Sequence, residues 1–137
     1  MSIKYQLTNE RDHWSSETGD LQIWETAPDT LNLVFRGVSD DEFIGPLLKR
    51  LDAGLTNGAT TFFIDWEKMT GFSPAMRSEL TKFVIANAQS YENVYILVML
   101  ATVKLGIRLV NAALKKEFIV YDNRSDFEQK QREHLER

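Results

Sequence analysis

No cysteine occurs among the 137 residues. Disulfide bridges, thiol catalysis and Cys-ligated zinc are therefore excluded. Histidine is scarce: His13 and His134 lie near opposite ends, without metal-ligand spacing or a triad partner in sequence, and both are expected at the surface. Gly54, Gly58 and Gly71 stand alone, so there is no glycine loop to cradle a phosphate. No apolar run approaches the roughly 18 residues of a membrane span, and no basic start leads into the apolar stretch of a signal peptide. Basic residues are outnumbered, 16 Lys and Arg against 20 Asp and Glu, for a net charge of −4. That balance favours solubility and argues against a nucleic-acid partner. The lack of thiols fits a reducing compartment, so a cytoplasmic location is expected.

What is present is a core. The chain is 43% hydrophobic, enough for one folded unit of this length. Residues 1–19 are polar and weakly patterned and are expected to form an arm, with Trp14 tucked against a domain spanning 20–137. Leu21–Glu25 alternates as a strand does. Ala27-Pro-Asp-Thr30 turns the chain, and Leu31–Arg36 returns as an antiparallel partner because the connection is so short. Ser39-Asp-Asp-Glu42 has the form of a capping box. Phe43, Leu47, Leu48 and Leu51 follow at helical spacing, with Pro46 tolerable in the first turns and Asn57-Gly58 at the close.

Phe62–Ile64 reads as a central strand. Ser73-Pro74 is a cap residue before a first-turn proline, opening a helix with Met76, Leu80, Phe83, Val84 and Ala88 on its buried stripe. Val94–Leu100 is continuously apolar, as in a strand covered on both faces. A third helix is expected from Thr102 to Lys116, a last strand over Phe118–Tyr121, and a charged helix opening on a second capping box, Ser125–Glu128. The order β-β-α-β-α-β-α-β-α predicts an α/β fold: a mixed central sheet with a mostly parallel core, flanked by helices.

Three groups of residues could carry function. Asp65, at the carboxyl end of a parallel strand, stands where α/β proteins bind ligands, or else accepts the backbone N–H groups of its own loop. Thr70, Ser73 and Arg77 surround a helix N-terminus that could hold an anion; alternatively Ser73 only caps and Arg77 is solvated. Trp66, Met69, Phe72 and Met76 form either an adaptable apolar recognition patch or core beneath the loop. On the third helix Lys104, Arg108 and Lys115 share one side, while Leu105, Ile107, Leu109, Val110, Ala113 and Leu114 make an apolar arc wider than one sheet contact needs. A second interface at Lys104, Ile107 and Arg108 would suit a homodimer, a protein partner or peripheral contact with an anionic membrane. No residue set suggests a catalytic centre, metal site or cofactor site.

The element order, and the segment Phe63-Ile-Asp65 through Arg77 in particular, resembles the STAS superfamily and its SpoIIAA-like branch, over residues 20–130. In that family a strand ending in Asp leads through a short loop to an Asp-Ser-Ser-Gly helix start, where a serine is phosphorylated by a partner kinase. Asp65 matches the strand-end Asp. Ser73, Pro74, Ala75 and Met76 stand where the family has Asp, Ser, Ser and Gly, so the usual phosphoacceptor is missing. The resemblance implies a non-catalytic, bacterial interaction or regulatory module that lacks this switch. SpoIIAA-like chains are also similar to the lipid-binding CRAL-TRIO fold, which implies a small apolar or anionic ligand as the alternative.

Overall fold

A computed structural model describes residues 3–114 and 118–136. The central sheet has eight strands. β1 (Lys4–Thr8), β2 (Arg11–Ser15), β3 (Gly19–Ala27) and β4 (Thr30–Ser39) run antiparallel in sequence order. β5 (Thr61–Trp66), β7 (Asn93–Val98) and β8 (Phe118–Tyr121) continue the sheet beyond β4, each parallel to its neighbour. β6 (Met69–Phe72) adds a short parallel pairing to the end of β4. Four helices connect or cover these strands: α1 (Ile44–Thr56), α2 (Pro74–Ala86), α3 (Ala101–Leu114) and α4 (Arg124–Leu135). The mixed sheet with a parallel core is the architecture the sequence predicts.

Two departures concern the strands. The segment expected as an arm contains the β1–β2 hairpin, which extends the sheet. Its two-residue turn, Asn9-Glu10, has φ of 50° and 63°. Positive φ at both central residues matches the right-handed twist of the flanking strands. Glu is a poor residue for that conformation, and β1 is exposed along most of its length, so the turn and burial signals are both weak. Trp14 does pack against the core, as expected. β6 forms where the sequence predicts a loop. It is held by backbone pairing to Gly37, Val38 and Ser39 rather than by a pattern of its own. Gly37 has φ of +85°, and a Cβ there would lie 2.3 Å from the Thr18 carbonyl oxygen, so only glycine fits this crossing.

The helix starts are also shifted. Ser39 ends β4, and Asp40 is the cap of a short 3₁₀ turn, Asp41–Phe43, accepting from the Glu42 N–H. Asn123, not Ser125, caps α4, accepting from the Asp126 N–H. In both cases a carboxylate or carboxamide one or two residues from the expected position accepts from an orphan N–H of the first turn. Pro46 lies in the first turn of α1, and Asn57 with Gly58 closes that helix, as predicted. The expected end of the third helix at Lys115 and Lys116 lies outside the described residues.

Register divides the sheet into two faces. Leu31, Phe62, Val94 and Phe118 are aligned across four strands, as are Leu33, Ile64 and Ile96. These residues form the main core with α1, α2 and α3. Near β4 the core is tight: Phe35 meets Phe43 edge-on at 4.9 Å, beside buried Leu47 and Leu51. The opposite face carries Phe63, Tyr95 and Leu97, and α4 covers it through Phe127. Among the described residues, no helix is long and apolar enough to cross a membrane.

Candidate functional site

The parallel strands β4, β5, β7 and β8 end at one edge of the sheet, and the helices α1 to α4 begin there. Asp65 stands near this edge on the α4 face. One carboxylate oxygen accepts from the Glu67 backbone N–H at 3.2 Å, which is the turn role considered from sequence. The other accepts from Arg124 Nη2 at 2.7 Å. Arg124 also donates to Glu67 Oε1 through Nε at 3.0 Å and Nη2 at 2.9 Å, and approaches Glu128 at 3.5 Å. The hydrogen bond to Asp65 pushes the Arg124 pKa above its ordinary value; burial opposes this, and Glu67 adds to it. One guanidinium thus clamps the first turn of α4 to the end of β5. Sequence reasoning missed Arg124 because 59 residues separate it from Asp65.

Ser73 caps α2 in the expected way, accepting from the Met76 N–H at 3.0 Å. Its hydroxyl proton goes to Asp41 Oδ1 at 2.7 Å. With both roles filled and a carboxylate alongside, Ser73 is badly placed to hold an anion. No side-chain hydrogen bond joins Thr70, Ser73 and Arg77 among the described residues; Thr70 and Arg77 are exposed. The apolar residues of this loop are not a surface patch. Trp66, Met69 and Met76 are buried, and Phe72 packs on Trp66 with ring centroids 5.6 Å apart. The loop buries them because β6 folds it back along β4, which a free loop of this length would not do.

The proposed second interface also divides. Ile107 is buried and faces inward, whereas Lys104 is half-buried and Arg108 exposed. The large exposed apolar residues of α3 are Leu105 and Leu109, 57% and 65% exposed, and Leu109 borders a cleft between α2 and α3. The two histidines are not simple surface residues. His13 meets Asp20 at 2.5 Å, and His134 is buried beside Phe63, with Nε2 2.7 Å from the Thr30 hydroxyl. Thr30 also donates to Asp29 at 2.8 Å. Its single proton being used there, it can only accept from His134, which places the proton on Nε2.

A long apolar concave feature lies on the other face. Between α2, α3 and the sheet is an open cleft of about 360 Å³. Its floor is Phe62, Ile64, Trp66, Val94 and Ile96, with Phe118 and Tyr91 at the amino end of the strands. Leu80, Phe83 and Val84 of α2 form one wall; Val103, Ile107 and Val110 of α3 form the other. Four of these wall residues, Leu80, Phe83, Val84 and Val110, are only partly buried, so the helices leave apolar surface uncovered between them. Gly106 lines the cleft, and a Cβ built on it meets no atom within 4 Å. The polar side chains on the lining are Arg77, Thr81, Thr102 and Tyr91. The Tyr91 hydroxyl donates to the Val84 carbonyl at 3.0 Å, and burial raises its pKa. Such a lining can hold an apolar body and has no paired base and nucleophile. The wide apolar arc of α3 was the sequence signal for it.

No protein-family model matches the chain, and no curated protein matches its sequence. Solved structures do match in shape. A protein of the DUF3478 family from Shewanella loihica, described as having a SpoIIAA-like fold, superposes with a TM-score of 0.61 at 19% identity, over 84% of this chain and 96% of its own. An anti-sigma factor antagonist from Mycobacterium paratuberculosis gives 0.58 at 14% identity, over 86% and 97%. The anti-sigma factor antagonist SpoIIAA in its unphosphorylated form gives 0.54 at 11% identity, over 81% and 96%. With its mixed sheet, parallel core and flanking helices, the chain has the SpoIIAA-like fold that its element order resembles.

Proposed function

We propose that this chain is a non-catalytic SpoIIAA-like binding module whose working site is the cleft between α2 and α3, where it takes a small apolar ligand. The observation that carries this is the cleft itself. Its volume falls within the range of small-molecule sites, about 300–1,000 Å³, and its apolar lining with a few polar groups is the usual composition of such sites. Leaving Leu80, Phe83, Val84 and Val110 partly wet costs stability that closer helix packing would recover. A ligand that covers them supplies that burial and stabilises the folded state by mass action.

A naphthylamine dye that fluoresces in apolar surroundings tests the reading. The wild-type protein should bind it, and Gly106→Phe, whose new ring has open space to enter, should bind it at least tenfold more weakly without loss of fold. No dye binding by the wild type, or equal binding by both, would remove the cleft as the site.

A second reading is a regulatory module that binds a protein partner at the start of α2. It is supported by the exposure of Pro74, Ala75 and Arg77 there and by the two anti-sigma factor antagonists among its fold neighbours. Pro74 and Ala75 offer no hydroxyl, so such binding would run without the usual serine switch. Ala75→Glu should abolish partner capture while melting stays unchanged; retained capture would dismiss this edge.

A further inference from the structure

The cleft is not uniformly apolar, and its polar groups are unevenly placed. Arg77 is the one charged residue among the described residues lining it. It lies in the first turns of α2, four residues before Thr81, so the two side chains share a side of the helix. Thr102 lies in the first turn of α3. Both helices begin at the carboxyl edge of the parallel strands, so Arg77 and Thr102 mark the same end of the cleft. Tyr91, at the far end, spends its proton on Val84. Arg77 makes no ion pair among the described residues, unlike Arg50 with Asp12 or Arg124 with Asp65.

We infer that the occupant is a single-chain anionic amphiphile of the fatty-acid class, with its carboxylate at Arg77 and its tail along the apolar trough toward Ile85 and Phe118; this rests on the cleft being the binding site. A guanidinium matches a carboxylate with two parallel N–H donors. The positive ends of α2 and α3 lie at that same end and favour the same charge. Tail length follows from helix geometry. Arg77 and Ile85 are eight residues apart on α2, about 12 Å along the axis. An extended peptide advances about 3.6 Å over three bonds, or about 1.2 Å per bond, so an extended tail of about ten carbons spans that distance. Longer chains leave their ends beside exposed Ile85.

The test compares dodecanoate with 1-dodecanol below their aggregation concentrations, by isothermal titration and Trp fluorescence, on wild type, Arg77→Gln and Arg77→Lys. The proposal expects dodecanoate to bind the wild type about tenfold more tightly than the alcohol. Arg77→Gln should erase that advantage while leaving alcohol binding unchanged, and Arg77→Lys should restore part of it. Arg77 is exposed, so these variants should keep their fold, which melting checks. Equal affinity for acid and alcohol, or indifference to Arg77→Gln, would overturn the head-group assignment and leave the apolar cleft standing. Binding of neither compound would overturn both. A concentration-dependent dimer that Gly106→Phe dissociates, with no amphiphile bound, would assign the cleft to a second copy of the chain and equally overturn the proposal.

Discussion

Gly106 offers a measurement of the cleft that needs no ligand. It sits inside α3, where glycine costs about 0.8–1.0 kcal/mol relative to alanine because its unfolded backbone has more freedom to lose. An alanine methyl at this position meets nothing within 4 Å. Gly106→Ala should therefore gain the full helix-propensity difference. If the methyl is partly removed from water by the cleft walls, burial adds up to about 0.8 kcal/mol. The expected change is a stabilisation of about 0.8–1.8 kcal/mol. For a chain of this size that raises the melting temperature by roughly 3–5 °C per kcal/mol.

Gly54 supplies the control. It is also inside a helix, α1, and stands to gain the same propensity term. Its Cβ, however, would lie 3.1 Å from Leu31 Cδ2, in the tight part of the core. Overpacking of that kind costs typically about 1–3 kcal/mol, so Gly54→Ala should be neutral or destabilising. Urea denaturation of the two variants beside wild type gives the comparison, with equal slopes confirming that only stability changed. Stabilisation by Gly106→Ala and none by Gly54→Ala is the expected result. If Gly106→Ala destabilises the protein as much as Gly54→Ala does, α3 is packed closed in solution, and the reasoning that treats the trough as open space is refuted.

Other outcomes follow from the α4 face and the helix caps. Phe127→Ala should cost about 3–5 kcal/mol in urea denaturation, because Phe127 is the buried aromatic residue joining α4 to Phe63 and Leu97. A double-mutant cycle of Asp65→Asn with Arg124→Met should show a coupling of roughly 0.5–2 kcal/mol; coupling near zero would mean that the clamp does not hold α4. Ser73→Ala should lower stability by about 1 kcal/mol through loss of the cap and leave ligand binding unchanged, as titration would show. Tyr91 gives a pH dependence. Burial raises its folded pKa above the ordinary value of about 10, so its contribution is complete below that value and is lost as pH climbs through the folded pKa. Tyr91→Phe should shallow the alkaline loss of stability, but not flatten it, since Tyr121 is shifted in the same direction.

The parts of the fold legible in sequence are those where local pattern and tertiary need agree. The run Val94–Val98 is apolar throughout because helices pack on both of its faces, and Ser73-Pro74 starts a helix by chemistry contained in those two residues. The parts that were not legible depend on partners far along the chain. β6 exists because Gly37–Ser39 presents an unpaired edge, and Arg124 reaches Asp65 only once α4 has docked. His134 is buried because Thr30 and Phe63 wait for it across the sheet, more than a hundred residues away in the first case. Nothing within a few residues of either His134 or Arg124 encodes those contacts, so a charged terminal helix reads as solvated on both sides.

The same dependence on distant partners is why the proposed site is the cleft and not the Asp65–Arg77 loop. Position at the carboxyl edge of a parallel strand marks a region, not a face. On the α4 face the carboxylates at this edge are consumed by Arg124, and at the loop Ser73 is consumed by Met76 and Asp41. A group whose hydrogen bonds are satisfied within the protein must give them up before it can bind anything else, at a cost of about 1–3 kcal/mol for each group left unpaired. Arg77 makes no such bonds among the described residues, and it is the charged residue of that segment that lines the cleft, beside the apolar Trp66 and Phe72. Asp65 therefore builds the scaffold, while Arg77 remains available to a ligand: two charged residues that look equivalent in sequence are separated by whether the fold has already supplied their partner.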